Sequence, residues 1–285
     1  MGDRTSIEWT DATWNPVTGC TKVSTGCDHC YAATLAEKRL RDIYLRRTPA
    51  VDRLPNRTDP FAVRLWPERL DQPLRWTQPR RIFVNSMSDL FHADVPEEYV
   101  LAVFEVMLAA DWHLYQVLTK RPSRASRFWN RRASEFGLRV IPEHIWIGTS
   151  VENGEVSYRV RHLRGVRARI RFLSCEPLLG PMDHLDLSGI HWVIGGGESG
   201  AGYRPVHLEW ARGLRDLCIK NGVPFFWKQW GGWTPKAGGR LLDGREWNDE
   251  PKCERVAMSA VETTTLRAQA DSAAARSLTA DTLLR

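Results

Sequence analysis

The chain of 285 residues is 42% hydrophobic and 26% charged, with a formal net charge of +6. That balance excludes a disordered chain and suits one large globular domain. No stretch reaches the roughly 20 apolar residues needed to cross a bilayer, and the N-terminus, MGDRTSIEWTDATW, lacks the apolar core of a signal peptide.

A cytoplasmic location without membrane contact is therefore expected, and thiols stay reduced there. Six cysteines then point to a metal or to catalysis rather than to disulfides. Only seven of the 40 basic residues are lysines. Arginine suits bidentate phosphate contacts, and it also accumulates through compositional bias.

In chain order, a short first strand is expected around WNPVTGC (14–20), running into GCTKVSTGCDHCY (19–31). Three cysteines fall there as C-x6-C-x2-C, and Gly19, Gly26 and Asp28 mark an exposed loop. A helix follows in YAATLAEKRL. Residues 40–80 are rich in Arg and Pro and read as an extended insertion or lid. From residue 81 the pattern alternates. Strands are expected in 81–91, 113–122, 144–153, 169–181, 191–200 and 223–233, and helices in 96–110, 123–137, 154–165 and 208–222. Residues 234–256 read as irregular, and 257–285 as a flexible tail poor in large apolar residues. Strands alternating with helices imply a parallel sheet: an incomplete barrel or an open doubly wound sheet.

In such folds the site lies at the carboxyl ends of the strands. Those ends carry Asn85, Ser86, Ser88 and Asp89; Thr119, Lys120 and Arg121; Thr149, Ser150, Glu152 and Asn153; Ser174, Cys175 and Glu176; Gly195 to Ser199 with Glu198; and Lys228 with Gln229. Turns and helix starts favour Asp, Ser and Thr in any protein. That explains Lys120, Arg121, Glu176 and Lys228 poorly, because each closely follows an apolar run, and a charged pocket is expected.

Three thiols admit two metal centres. Structural zinc takes four ligands, the fourth here being His29, His92 or Cys175. A [4Fe–4S] cluster is normally held by four cysteines, so with three it keeps one iron open to a small ligand. Cys175 reads as a buried small residue finishing a strand, with Glu176 beside it at the expected catalytic face. Cys218 reads as core, and Cys253 has no assigned role.

The run SIEWTDATWNPVTGCTKVSTGCDHCYA, then FVNSMSDLFH, LTKRP, TSVEN, SCEPLLG, WVIGGGESG and FFWKQWGG, resembles the phage Gp37/Gp68 (DUF5131, three-Cys-motif) family. The motifs run from about residue 6 to residue 233. That family is regarded as radical-S-adenosylmethionine-like and distantly similar to spore photoproduct lyase. The resemblance implies an incomplete (β/α)6-type barrel over 1–233, with Cys20, Cys27 and Cys30 on a [4Fe–4S] cluster and S-adenosylmethionine on the open iron. A 5′-deoxyadenosyl radical would then act on damaged or modified DNA. It also implies an electron donor, and it leaves room for a partner protein. His29, Tyr31, Asn85, Ser86, Asp89, Lys120, Arg121, Glu152, Glu176 and Glu198 become candidate cofactor or substrate contacts, and Cys175 the candidate catalytic thiol. The first gap of six residues departs from the commonest C-x3-C-x2-C spacing and keeps the zinc-containing, non-catalytic nucleic-acid-binding module open. A radical enzyme acting on a peptide or small molecule is the third reading.

Overall fold

The structure, a computed structural model, describes residues 5–252. Seven strands form one parallel sheet: β1 (Ala12–Trp14), β4 (Arg81–Val84), β5 (Leu114–Thr119), β6 (Ile145–Ser150), β7 (Arg171–Cys175), β8 (Trp192–Gly195) and β9 (Phe225–Trp227), in that spatial order. The sheet curls into a half-barrel. Two further strands, β2 (Val17–Thr18) and β3 (Arg64–Leu65), pair antiparallel beside it. Helices α5 (Glu97–Ala109), α6 (Pro122–Arg132), α7 (Tyr158–Arg164) and α8 (Leu208–Lys220) are the crossovers that return the chain between successive parallel strands. Of the two parallel-sheet folds that the alternation allowed, the incomplete barrel, which the resemblance implied, is therefore present.

The pleat explains why both faces are buried. Along β5, Tyr115 and Val117 join the core beneath the helices, while Leu114 packs with the inner aromatics and Leu118 lies against them. Successive side chains point to opposite faces, so the strands from β4 onward are largely apolar in both registers. The concave face is filled by Trp9, Phe83, Trp146, Phe172, Trp192 and Phe226. Trp192 sits at the centre of this plug, with Trp9, Trp146, Phe172 and Phe226 at ring-centroid distances of 5.5–6.3 Å.

Two expectations need correction. The run at 14–20 is not one strand. The sheet strand ends at Trp14, Pro16 has no N–H to donate, and its carbonyl accepts from Trp66 N at 2.8 Å and Tyr99 Oη at 2.9 Å. Val17 and Thr18 then turn to pair with Leu65 and Arg64.

The 40–80 insertion is not extended either. It contains α2 (Arg41–Leu45), α3 (Leu54–Thr58), β3 and α4 (Gln72–Arg75). Tyr44 and Trp66 pack with Ala32 and Ala36 of α1 (Tyr31–Lys38), and Leu70 enters the main core. Arg64 is fully buried and donates to three carbonyls, those of Arg47, Ala62 and Asn56.

Residues 234–252 hold no regular element, as expected, yet Leu242 and Trp247 are core residues. Asn248 bridges Phe226 antiparallel and caps the edge of β9. No helix among the described residues is long and apolar enough to cross a membrane. Cys253 and the expected tail at 257–285 lie outside the described residues.

Candidate metal centre and the mouth of the half-barrel

The cysteine loop is built on contacts to the insertion. Gly19 has φ +85°, and a Cβ there would lie 2.2 Å from the Ala62 carbonyl oxygen, so only glycine fits. Cys20 N donates to the Phe61 carbonyl at 3.0 Å. Cys27 closes a single 3₁₀ turn, Thr25–Cys27, and Cys30 precedes α1, its carbonyl accepting from Thr34 N at 3.1 Å. All three thiols are free and partly exposed.

Strand ends reach this loop from several directions. Asp89 accepts from Thr119 Oγ1 at 2.7 Å, Lys120 N at 3.0 Å and Arg121 Nη1 at 2.9 Å. Arg121, so held, lies 3.5 Å from Cys20 Sγ and donates to the Thr21 carbonyl at 3.1 Å. Glu152, at the end of β6, pairs with Lys120 and with Arg159 of α7 at 3.0 Å, and accepts from Ser24 Oγ at 3.3 Å. Glu198, beyond β8, is 2.9 Å from His29 Nδ1 and accepts from Arg204 Nε at 2.9 Å. Arg204 Nη2 donates onward to the Thr25 carbonyl at 3.0 Å.

Tyr31 donates to the Ser86 carbonyl. Solvent reaches 51% of Tyr31 although protein surrounds the hydroxyl densely enough to raise its pKa through desolvation, aided by Cys30 and Glu176. Glu176 is nearby, bonded to Lys228 Nζ at 2.6 Å. Gly196 faces the same pair: a Cβ there would lie 3.5 Å from Glu176 Cδ and 3.5 Å from Lys228 Cβ.

Electrostatics follow from these contacts. Burial pushes the Cys20 thiol up to about 11, Asp89 adds to the shift, and Arg121 opposes it. Burial alone would raise Glu152 and Glu198. Lys120 and Arg159 outweigh it at the first, and Arg204 with His29 at the second, so both carboxyls stay below their ordinary value. His92, whose Nε2 is 2.8 Å from Thr21 Oγ1, is lowered by burial and by Arg121.

Of the residues singled out in the sequence, Cys20, Cys27, Cys30, His29, Tyr31, Asp89, Lys120, Arg121, Glu152, Glu176 and Glu198 come together at the mouth through the contacts above. Ser86 joins them through its carbonyl. Asn85 is buried, with φ +59° and its Nδ2 unpartnered, and its Oδ1 accepts from Val17 N at 3.4 Å. Cys175 is not among them. It is fully buried with Leu173 in the core on the convex side, where burial and neighbouring Cys218 raise its pKa. Phe172 and Glu176, of the opposite parity, hold the inward register.

Arg159, Arg204, Ser24 and Thr21 escape a reading of the sequence. Arg159 looks like an exposed helix charge, and Arg204 follows Glu198 by six positions with no periodic signal. Among the described residues no three His, Cys, Asp or Glu side chains converge as a set for a single metal ion.

The fold and site thus define a class: a parallel half-barrel whose first crossover carries three thiols at the carboxyl mouth. The chain belongs to the family described as "Protein of unknown function (DUF5131)", whose model matches residues 4–251. No curated protein matches it. Among solved structures, spore photoproduct lyase complexed with dinucleoside spore photoproduct is similar at TM-score 0.42 and 12% identity, over 96% of this chain and 75% of that one. Two substituted forms of that lyase match over the same shares at 12% identity, with TM-scores of 0.38 and 0.40.

Proposed function

We propose that this protein is a radical S-adenosylmethionine enzyme whose Cys20, Cys27 and Cys30 hold a [4Fe–4S] cluster. One observation carries the reading: three free thiols stand on one loop at the mouth, beside Tyr31 and the Glu176–Lys228 pair. The donor set fits the group, since cluster thiolates bind separate irons and need not converge on one point as a zinc set must. When bound, cluster and cofactor supply an electron and a 5′-deoxyadenosyl radical.

The chain's own residues bind and orient. Asp89 has both oxygens engaged, so its part is to aim Arg121 at the loop. Tyr31, Glu176 and Lys228 are assigned to cofactor or substrate. The Trp9–Trp192 plug closes the opposite end of the concave face to water.

The proposed substrate is DNA, in a damaged or modified form. Trp233 is 72% exposed with Tyr203 edge-on at 6.3 Å, and Gly232 beside it bonds to the Glu198 carbonyl at 3.0 Å. Such a ring suits stacking of an extruded base. Trp230 does not: it packs on Trp227 at 4.9 Å and donates to the Leu241 carbonyl. In the insertion, Arg41, Arg47 and Arg57 are paired with Glu37, Glu68 and Asp52. Arg39, just before the insertion, and Arg46 and Arg53 within it are exposed and have no ion-pair partner among the described residues.

The test is anaerobic reconstitution with iron and sulfide, then EPR with and without S-adenosylmethionine, beside Cys27→Ala. A reduced signal that shifts on cofactor addition and vanishes in the variant is expected. A colourless protein with stoichiometric zinc overturns the reading. Oligonucleotide affinity should fall with salt, and Trp233→Ala should cost about 1–3 kcal/mol of binding. Salt-insensitive or absent affinity removes DNA as the substrate.

A further inference from the structure

Six residues separate Cys20 from Cys27, and a loop of that length has no intrinsic reason to hold its ends in one arrangement. Here three of the six are hydrogen-bonded, and a fourth is packed, against side chains that follow β5, β6 and β8. The Thr21 carbonyl and Oγ1 accept from Arg121 at 3.1 and 3.0 Å. Ser24 Oγ donates to Glu152 at 3.3 Å. The Thr25 carbonyl accepts from Arg204 at 3.0 Å. Gly26 lies against Glu152 so closely that a Cβ would be 2.4 Å from its Cγ. Glu152 cannot step aside, since its side chain is 1% exposed and held by both Lys120 and Arg159.

We infer that Arg121, Glu152 and Arg204 form a three-point clamp that holds residues 21–26 in one conformation before any metal group binds, with Gly26 the residue that lets the loop close on Glu152. The long first gap is then a built brace, not slack. The clamp is a property of the chain, and its purpose, presenting three thiols together, rests on the cluster reading. These are positioning residues. Glu152 serves the loop, which leaves Glu176 and Lys228 as the charged pair of the mouth not engaged with it.

Hydrogen exchange on the metal-free full chain tests this. Cys27 N and Asp28 N donate to the Ser24 and Thr25 carbonyls at 2.9 and 3.1 Å. They should exchange at least about tenfold more slowly than in a free peptide. Gly26→Ala and Glu152→Gln should each erase that protection while the amides of β5 keep theirs. In the reconstituted chain, Gly26→Ala should broaden the reduced EPR signal with β5 protection unchanged, a change that mere loss of fold would not produce. Free-peptide exchange at 27 and 28 in the wild type, or protection untouched in both variants, overturns the clamp. Wild-type protection without iron uptake sustains the clamp and overturns the cluster reading alone.

Discussion

Cys20 stands between a carboxylate and a guanidinium that are bonded to each other, and burial dominates both. Its thiol is pushed up to about 11, and the thiolate is the reactive form. In the metal-free protein, alkylation of Cys20 should therefore keep accelerating through pH 10. A rate that levels off by pH 9 contradicts the assigned surroundings. Metal loading at this thiol must also release a proton at neutral pH. The ion pairs nearby differ by burial. Glu152 and Arg159 are each 1% exposed, so Arg159→Met leaves the buried carboxylate with Lys120 as its remaining cation and should cost about 1–3 kcal/mol in urea unfolding. Lys22 and Asp28 are 67% and 47% exposed, and Lys22→Ala should stay within about 1 kcal/mol.

At the level of elements, alternation along each strand decides which residues meet. Phe172, Ser174 and Glu176 share a parity, as do Phe226 and Lys228, so an aromatic at the base of a strand is followed on the same face by a polar group at its mouth. Cys175 has the other parity, and that alone takes it to the convex core. Gly148 on β6 shows how tight the inner face is: a Cβ there would lie 2.5 Å from Phe172 Cζ. Gly148→Ala should cost about 1–3 kcal/mol by overpacking, read from the urea midpoint.

The irregular segment after β9 is fastened to α8 by Asp243, whose pKa Arg212 and Arg215 lower to about 2. Its contribution is complete above the ordinary value of 3.8 and lost as pH falls through about 2. A carboxyl NMR titration of Asp243 should show its inflection near 2, and the shift should shrink in high salt. The apolar runs of β4 to β9 were legible in the sequence because both of their faces are buried. WNPVTGC misled because an apolar run gives no sign of where Pro16 turns the chain out of the sheet.

Across the whole molecule, one set of aromatics closes the concave side while helices cover the convex side. Trp192 belongs to the first set, and its Nε1 donates to the Asp249 carbonyl at 2.8 Å. The plug and the terminal segment are therefore mechanically linked. Trp192→Ala should cost about 3–5 kcal/mol and raise hydrogen exchange at Asp249 N, which donates to the Phe225 carbonyl at 3.1 Å. Unchanged exchange there would show that the segment holds without the plug.

What the sequence determined by itself was the alternation of strands and helices, the parallel sheet, the three-thiol loop and the polar residues that follow the strands. Each of these is written in local order: apolar period, crossover length, and polar residues directly after strands. Only the tertiary structure decided that the insertion is packed, that Cys175 faces the convex core, and that Arg121, Glu152 and Arg204 converge on one loop. Those facts depend on pleat parity and on contacts between residues up to 179 positions apart, as Arg204 is from Thr25. Side-chain charge in a sequence carries no record of the partner that neutralises it, so a buried arginine such as Arg159 and an exposed one read alike.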